Sequence, residues 1–136
     1  MSPAEGFSSL KALPGGAHTL ELPLETDPRG ALIAAEFDAL PFSPRRVFVV
    51  KDAPLGAVRG GHAHKSNCQA LVCLAGVVRV ELRHEGRTAF VDLNAAHEAL
   101  VIPAGVWSSQ TYLTDDAMLM VLASEPYDAE SFIGDA

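Results

Sequence analysis

Two histidines separated by one residue are the side chains in this sequence best suited to chemistry. His62 and His64 lie in the segment Arg59-Gly60-Gly61-His62-Ala63-His64-Lys65. On a strand they point to the same side, about 6.5–7 Å apart along the chain. Imidazole binds metal ions and titrates near neutral pH, so the pair indicates either a metal site or an acid/base pair. Two solvent-facing histidines on an edge strand are the structural alternative, which the pairing of two titratable groups disfavours.

A metal site would need further ligands close to the pair. The spacing resembles a cupin-type metal site, in which a carboxylate follows the H-x-H segment and another histidine follows a P-x-G turn. Gln69 stands near the position of that carboxylate, and Ser108 stands at that of the last histidine. Both are weak neutral ligands for a zinc- or iron-type ion. We therefore predict a site without a metal.

The elements that position the pair are expected to be short strands. Eleven glycines and nine prolines lie between short apolar runs, which is typical of an all-β domain. Strands of this number and length predict a single domain over residues 1–136, a sandwich or small barrel of the jelly-roll type. The predicted strands are His18–Leu22, Leu32–Glu36, Arg46–Val50, Gly60–His64, Gln69–Leu74, Val77–Arg83, Thr88–Asp92, Ala99–Ile102, Trp107–Tyr112 and Met118–Ala123.

The two ends of the chain give separate expectations. Residues 1–16 are expected either to be disordered or to form an arm on a partner subunit. The segment Pro126–Ile133 predicts a short helical turn with Asp128 as its cap. The apolar segment His18–Leu24 offers an edge for another subunit's sheet, and with the small core of a 136-residue chain it favours a homodimer.

Charge and composition disfavour several classes of binding partner and indicate the cellular compartment. The net charge of −7 and the isoelectric point near 5.1 disfavour binding to nucleic acid or to an anionic membrane. The sequence has no apolar run of roughly 20 residues and no evident signal peptide. Cys68 and Cys73 would point to opposite faces of one strand, which disfavours a disulfide. We therefore expect a cytoplasmic protein.

Six segments resemble the sugar-nucleotide 3,4-ketoisomerases, the WxcM-like family of small cupins that act on dTDP-4-keto-6-deoxyglucose. The resemblance runs from about residue 26 to residue 133, in the same order along the chain. It implies a cupin-like jelly roll, also called a double-stranded β-helix, and an isomerase of deoxysugar biosynthesis. The segments are Asp27–Leu32, Pro41–Val47, Arg59–Lys65, Gln69–Gly76, Ile102–Trp107 and Val121–Asp128.

The resemblance implies acid/base chemistry at the histidine pair. The family moves a ketone from carbon 4 to carbon 3 of a hexose through an enediol, without redox cofactor or obligatory metal. It places this work on the histidines of H-A-H, here His62 and His64. We expect His62 to be the carbon base and His64 its proton-relay partner, although either order is compatible with the sequence.

Other residues near the pair are candidate substrate ligands. Arg59 matches the family's arginine and would hold the pyrophosphate or steady substrate oxygens. Gln69 would bond a sugar hydroxyl or the enediolate, or close a polar network with the histidines. Trp107 would wall the sugar, stack on the base or belong to the core. Ser108 and Tyr112 complete the set, with Tyr112 expected at the cavity mouth.

Two positions depart from the family pattern. The strand after the Arg-Val pair usually carries tyrosine, and here it carries Phe48 and Val49; the tryptophan is usually followed by histidine, and here Ser108 follows it. These changes favour an alternative, a non-catalytic module that binds a nucleotide sugar. A metal-dependent cupin oxygenase is a third possibility, which Gln69 and Ser108 argue against.

Overall fold

Residues 13–133 are described by a computed structural model, and almost all of its regular structure is antiparallel strand. Three short 3₁₀ turns, Pro14–Gly16, Phe37–Ala39 and Ala129–Ser131, are the only helical elements of this part of the chain. None of them is long and apolar enough to cross a membrane. The strands are β1 (His18–Glu21), β2 (Leu24–Asp27), β3 (Gly30–Ile33), β4 (Arg46–Val50), β5 (Val58–His64), β6 (Gln69–Ala75), β7 (Val78–His84), β8 (Arg87–Leu93), β9 (Glu98–Ile102), β10 (Trp107–Tyr112), β11 (Met118–Ala123) and β12 (Phe132–Ile133).

Two five-stranded sheets form the body of the domain. Their orders are β1-β9-β6-β11-β4 and β12-β5-β10-β7-β8, and β2 and β3 form a separate hairpin. Apolar side chains from both sheets meet in one buried cluster, which excludes water and holds the sheets face to face. Its members include Leu71, Leu82, Leu100, Leu119 and Val121. The all-β sandwich predicted from the sequence is confirmed.

Most predicted strands are present, and the main error lies before residue 37. The predicted strand Leu32–Glu36 is misplaced: only Leu32 and Ile33 belong to a strand, β3, which begins at Gly30 and pairs with β2, a strand that was not predicted. The Asp27 carboxylate accepts the backbone N–H of Arg29 at 2.8 Å and so closes a tight turn. Gly30 follows it at φ +130°, a conformation that side chains disfavour.

The tail forms the turn that was predicted and adds a strand that was not. The Asp128 carboxylate caps the turn by accepting the Glu130 N–H at 3.0 Å, as expected. The next two residues, Phe132 and Ile133, pair with His64 and Ala63 of β5. The tail therefore reaches the strand that carries both histidines.

The N-terminal expectation is tested only in part. Residues 1–12 lie outside the described residues, whereas Pro14–Gly16 form a 3₁₀ turn. Strand β1 pairs with β9 of its own chain and lies at the edge of its sheet. Its pairing with another subunit stays a prediction.

Candidate active site

A cavity of about 280 Å³ lies between the two sheets and contains both histidines. Strands β4, β6 and β11 form one wall, and strands β5 and β10 form the other. Tyr127 and Phe132 of the tail complete the lining. The polar or charged side chains in the walls are Arg46, Gln69, Arg59, His62, His64, Ser108, Gln110 and Tyr112.

A bulge in β5 brings Arg59 to the same face as the histidines. Residues three apart on a regular strand point to opposite faces. Here His62 pairs with Ser108 and Gly60 pairs with Ser109, so Gly61 is an extra residue that shifts the alternation by one. Gly60 and Gly61 adopt φ +83° and +87°, in the left-handed region that favours glycine. The two glycines thus allow the bulge through which Arg59 and His62 line the same wall of the cavity.

The two imidazoles lie edge to face, with ring centroids 5.2 Å apart. Phe132 stacks almost parallel on His62, at 4.1 Å and 11°. Burial lowers the pKa of His62 below its usual value, because the charged form loses hydration. It lowers the pKa of His64 in the same way. Both rings are therefore mainly neutral at pH 7, the form that can accept a proton.

Charged neighbours also act on His64. After burial, the nearby His62 lowers the pKa of His64, Glu125 raises it and Arg46 lowers it. Glu125 is held by the Ser66 hydroxyl, which donates to its carboxylate at 2.7 Å. The His64 Nδ1 atom is buried and has no hydrogen-bond partner among residues 13–133.

The arginine on the first sheet lies between aromatic rings at the histidine end of the cavity. The Arg46 guanidinium carbon is 4.5 Å from the Phe48 ring centre and 5.3 Å from that of Tyr127. Tyr127 in turn contacts Phe132 edge to face, at 6.0 Å. Arg46 and the His62–Phe132 stack thus belong to one aromatic cluster.

Polar residues of β10 continue the opposite wall away from the histidines. Ser108 pairs with His62, and the Gln110 amide donates to the Ser108 hydroxyl at 3.2 Å. Tyr112 is four residues beyond Ser108, about 13 Å along the strand. It is only 1% exposed, so its side chain is buried in the cavity wall and the expected place at the mouth is wrong. Burial raises the pKa of its phenol, and the charge of Arg59 opposes that rise.

Six of the seven predicted site residues line the cavity: His62, His64, Arg59, Gln69, Ser108 and Tyr112. Trp107 does not; its ring lies under the Arg83 guanidinium, 4.5 Å away. Adjacent strand residues point to opposite faces, so Ser108 and Trp107 do not face one cavity. The roles of all seven stay predictions. The sequence analysis did not assign Arg46, Gln110, Tyr127 or Phe132 to the site. A period-2 count from Ser108 would have found Gln110.

The donor set of the cavity does not fit a zinc- or iron-type ion. Within residues 13–133 no group of three or more His, Cys, Asp or Glu side chains could hold a metal. Beside the two imidazoles stand Gln69 and Ser108, which are neutral and weak ligands. We therefore derive no catalytic step from a bound metal.

The family model described as "FdtA: WxcM-like, C-terminal" matches residues 16–136. The chain belongs to this family. A TDP-4-oxo-6-deoxy-alpha-D-glucose-3,4-oxoisomerase of Aneurinibacillus thermoaerophilus is 37% identical over 108 residues, which cover 79% of this chain and 78% of that protein. The resemblance found in the sequence is thus confirmed.

Solved structures of ketoisomerases share the fold. The sugar 3,4-ketoisomerase QdtA of Thermoanaerobacterium thermosaccharolyticum, in complex with TDP, has a TM-score of 0.84 and 30% identity, covering 88% of both chains. The TDP-quinovose 3,4-ketoisomerase WlaRB of Campylobacter jejuni has a TM-score of 0.84 and 32% identity, covering 89% of this chain and 94% of that one. A histidine-to-asparagine variant of QdtA, in complex with TDP-4-keto-6-deoxyglucose, has a TM-score of 0.86 and 28% identity, covering 90% of both chains. These neighbours support the cupin-like jelly roll.

Proposed function

We propose that this protein is a 3,4-ketoisomerase of TDP-4-keto-6-deoxyglucose or a closely related TDP-4-keto-6-deoxyhexose. The observation that carries the proposal is the pair of mainly neutral imidazoles, 5.2 Å apart in a cavity. Removal of a proton beside a ketone needs a positioned base that is unprotonated at neutral pH. The ketoisomerase relatives catalyse the reaction class for which this arrangement is suited.

The reaction moves two protons and leaves the oxidation state of the whole molecule unchanged. His62 removes the proton from carbon 3, the C–H electrons form a C3=C4 double bond, and the oxygen on carbon 4 becomes an enolate that accepts a proton. The proton on the oxygen of carbon 3 then leaves, the double bond collapses to a C3 ketone, and carbon 4 accepts a proton. His64 relays the protons between the oxygens.

The cavity size divides the substrate into a buried and an exposed part. Its volume of about 280 Å³ lies just below the roughly 300–1,000 Å³ of ordinary small-molecule sites. That volume suits the hexose ring, not a whole nucleotide sugar. The sugar therefore enters the cavity, and the nucleotide stays outside it.

Deuterium exchange tests this function directly. Wild type incubated with TDP-4-keto-6-deoxyglucose in heavy water is expected to convert it to the 3-keto isomer, with deuterium at carbon 4. His62→Asn keeps a polar side chain that cannot titrate, and we expect a loss of about a hundredfold to ten-thousandfold. His97→Asn is the control, because His97 does not line the cavity. A His62→Asn variant as fast as wild type would contradict the acid/base assignment.

A nucleotide-sugar-binding module is the alternative, and Phe48 favours it. Phe48 lines the cavity where the family usually carries a phenol. The same incubation separates the two functions. Tight binding of the substrate with no deuterium incorporation by wild type would favour the binding module.

We also propose that the protein is a cytoplasmic homodimer. All eight strand residues of the β2–β3 hairpin are exposed, including Leu32 at 62%, and an isolated hairpin is at best marginally stable. A second copy would cover the apolar hairpin face formed by Leu24 and Ile33. Cys68 and Cys73 are both free thiols, which fits a reducing compartment. A light-scattering mass near 14.4 kDa at micromolar concentration would contradict the dimer.

A further inference from the structure

Two arginines in the cavity walls have no counter-charge. Neither Arg46 nor Arg59 forms an ion pair with a carboxylate of residues 13–133, whereas Arg29, Arg79 and Arg83 each do. Placing a cation in a partly buried site without an anion costs desolvation free energy. Arg46 is partly buried and meets this cost, whereas Arg59 is exposed and does not; both line the cavity and so offer two positions for negative charge. The substrate of the proposed function supplies two: a permanent pyrophosphate and an enediolate oxygen that forms only during the reaction.

Arg46 is the arginine at the reacting end of the cavity. Its side chain is partly buried. On β4 it pairs with Ala123 of β11, which pairs on its other side with Gln69 of β6. Its guanidinium lies between Phe48 and Tyr127, in the aromatic cluster that continues to His62. Its positive charge is also among those that lower the pKa of His64.

Arg59 occupies a different position. It is exposed on β5 and pairs with Gln110, two residues along β10 from the pairing of Ser108 with His62. Its charge acts on the phenol of Tyr112, not detectably on the histidines. An exposed guanidinium at the cavity edge suits the part of the substrate that stays outside.

We propose that Arg46 is a catalytic residue that binds the oxygen of the reacting carbonyl and stabilises the enediolate, while Arg59 binds the pyrophosphate. The proposal rests on the ketoisomerase function proposed above. Two aromatic rings lie beside the partly buried Arg46 guanidinium, that of Phe48 at 4.5 Å and that of Tyr127 at 5.3 Å, so a developing negative charge meets a cation already in place. The charge of Arg46 also adds to the larger effects of burial and of His62 in lowering the pKa of His64, which favours the neutral form that accepts a proton.

The two assignments predict different effects of each arginine on the affinity for TDP, which has the pyrophosphate of the substrate but not its hexose. We would measure the Kd of TDP by calorimetry and the kcat of deuterium incorporation for Arg46→Gln and Arg59→Gln. Arg46→Gln is expected to lower kcat by about 10²–10³-fold, as for the loss of one oxyanion donor, with the Kd of TDP unchanged. Arg59→Gln is expected to raise the Kd of TDP by roughly tenfold to 150-fold and to raise KM by a larger factor than it lowers kcat.

The opposite pattern would overturn the proposal. If Arg46→Gln raises the Kd of TDP and has the wild-type kcat at saturating substrate, Arg46 binds the pyrophosphate. If Arg46→Gln fails to fold, Arg46→Lys provides the same comparison, since it keeps the charge but loses the two-pronged donor; it should lose part of kcat at unchanged TDP affinity. A wild-type protein that binds TDP without turnover would refute the ketoisomerase function itself, whereas an active wild type with an equally active Arg46→Gln would refute only the role of Arg46.

Discussion

Replacing Gly60 with alanine perturbs the bulge that forms one wall of the cavity. Gly60 has φ +83°, and a left-handed conformation costs an L-residue about 1–2 kcal/mol. Alanine offsets about 0.4–1 kcal/mol of this by restricting the unfolded chain. The new Cβ would lie 2.7 Å from the Gln110 side-chain oxygen and 3.1 Å from the Ser108 carbonyl oxygen. The Gln110 amide must move, and its bond to Ser108 is worth about 0.5–1.5 kcal/mol.

Gly61→Ala is a matched control next to it. Gly61 has φ +87°, so its backbone cost is the same, but among residues 13–133 no atom other than those of its chain neighbours lies within 4 Å of an added Cβ. We expect Gly61→Ala to lower the free energy of unfolding by about 1 kcal/mol and Gly60→Ala by about 2 kcal/mol. For a chain of this size each kcal/mol corresponds to roughly 3–5 °C in Tm.

Calorimetry and the deuterium assay at 25 °C, where both variants are folded, separate stability from cavity shape. Gly60→Ala should lose both more Tm and more turnover than Gly61→Ala, because only the first displaces Gln110 into the cavity. If the two variants lose equal amounts of Tm and of turnover, backbone strain alone accounts for the effect of Gly60→Ala. An unchanged Tm for Gly60→Ala would refute the left-handed bulge.

Two further perturbations have a direction that the structure determines. Turnover should hold down to about pH 6.5, the ordinary histidine pKa, and fall only at lower pH, because the lowered pKa values of His62 and His64 keep both bases neutral until then. In the same range the unfolded chain binds more protons than the folded one, so urea midpoints should be highest above pH 6.5 and fall toward pH 5, less steeply in a His62→Asn/His64→Asn double variant. Asn67→Ala should lower the free energy of unfolding by about 1–3 kcal/mol, since the buried Asn67 carbonyl accepts from the Ser124 hydroxyl and the Glu125 N–H; exposed Asn94→Ala is its control, and equal Tm values for the two would contradict this role.

The period of two along strands accounts for most of what the sequence predicted. It placed His62 and His64 on one face, and glycine and proline marked most of the turns. The same rule would have separated Trp107 from Ser108, which the site prediction grouped together. The rule fails at Arg59, because the extra residue in the bulge reverses the alternation, and a bulge depends on pairing with β10.

Long-range pairing determined the residues that the sequence analysis missed. Strand β12 has two residues, too few for a periodic pattern, and Phe132 reaches His62 only because β12 pairs with β5, some 70 residues earlier in the chain. Arg46 belongs to a segment that resembled the family, but its place beside Tyr127 follows from the packing of the tail. Neither contact has a local signal in the sequence.

The absence of a phenol at Phe48 does not remove a group that the proposed proton transfers require. The isomerisation moves one proton from carbon 3 to carbon 4 and one from the oxygen on carbon 3 to that on carbon 4. Two neutral imidazoles suffice, since each accepts one proton, exchanges it with solvent, delivers one in its place and so ends the cycle unchanged. Phe48 instead contacts the Arg46 guanidinium at 4.5 Å, and its apolar face lowers the local polarity and so strengthens the field of that cation. The substitution thus shifts the expected contribution of this wall from proton transfer to electrostatic stabilisation.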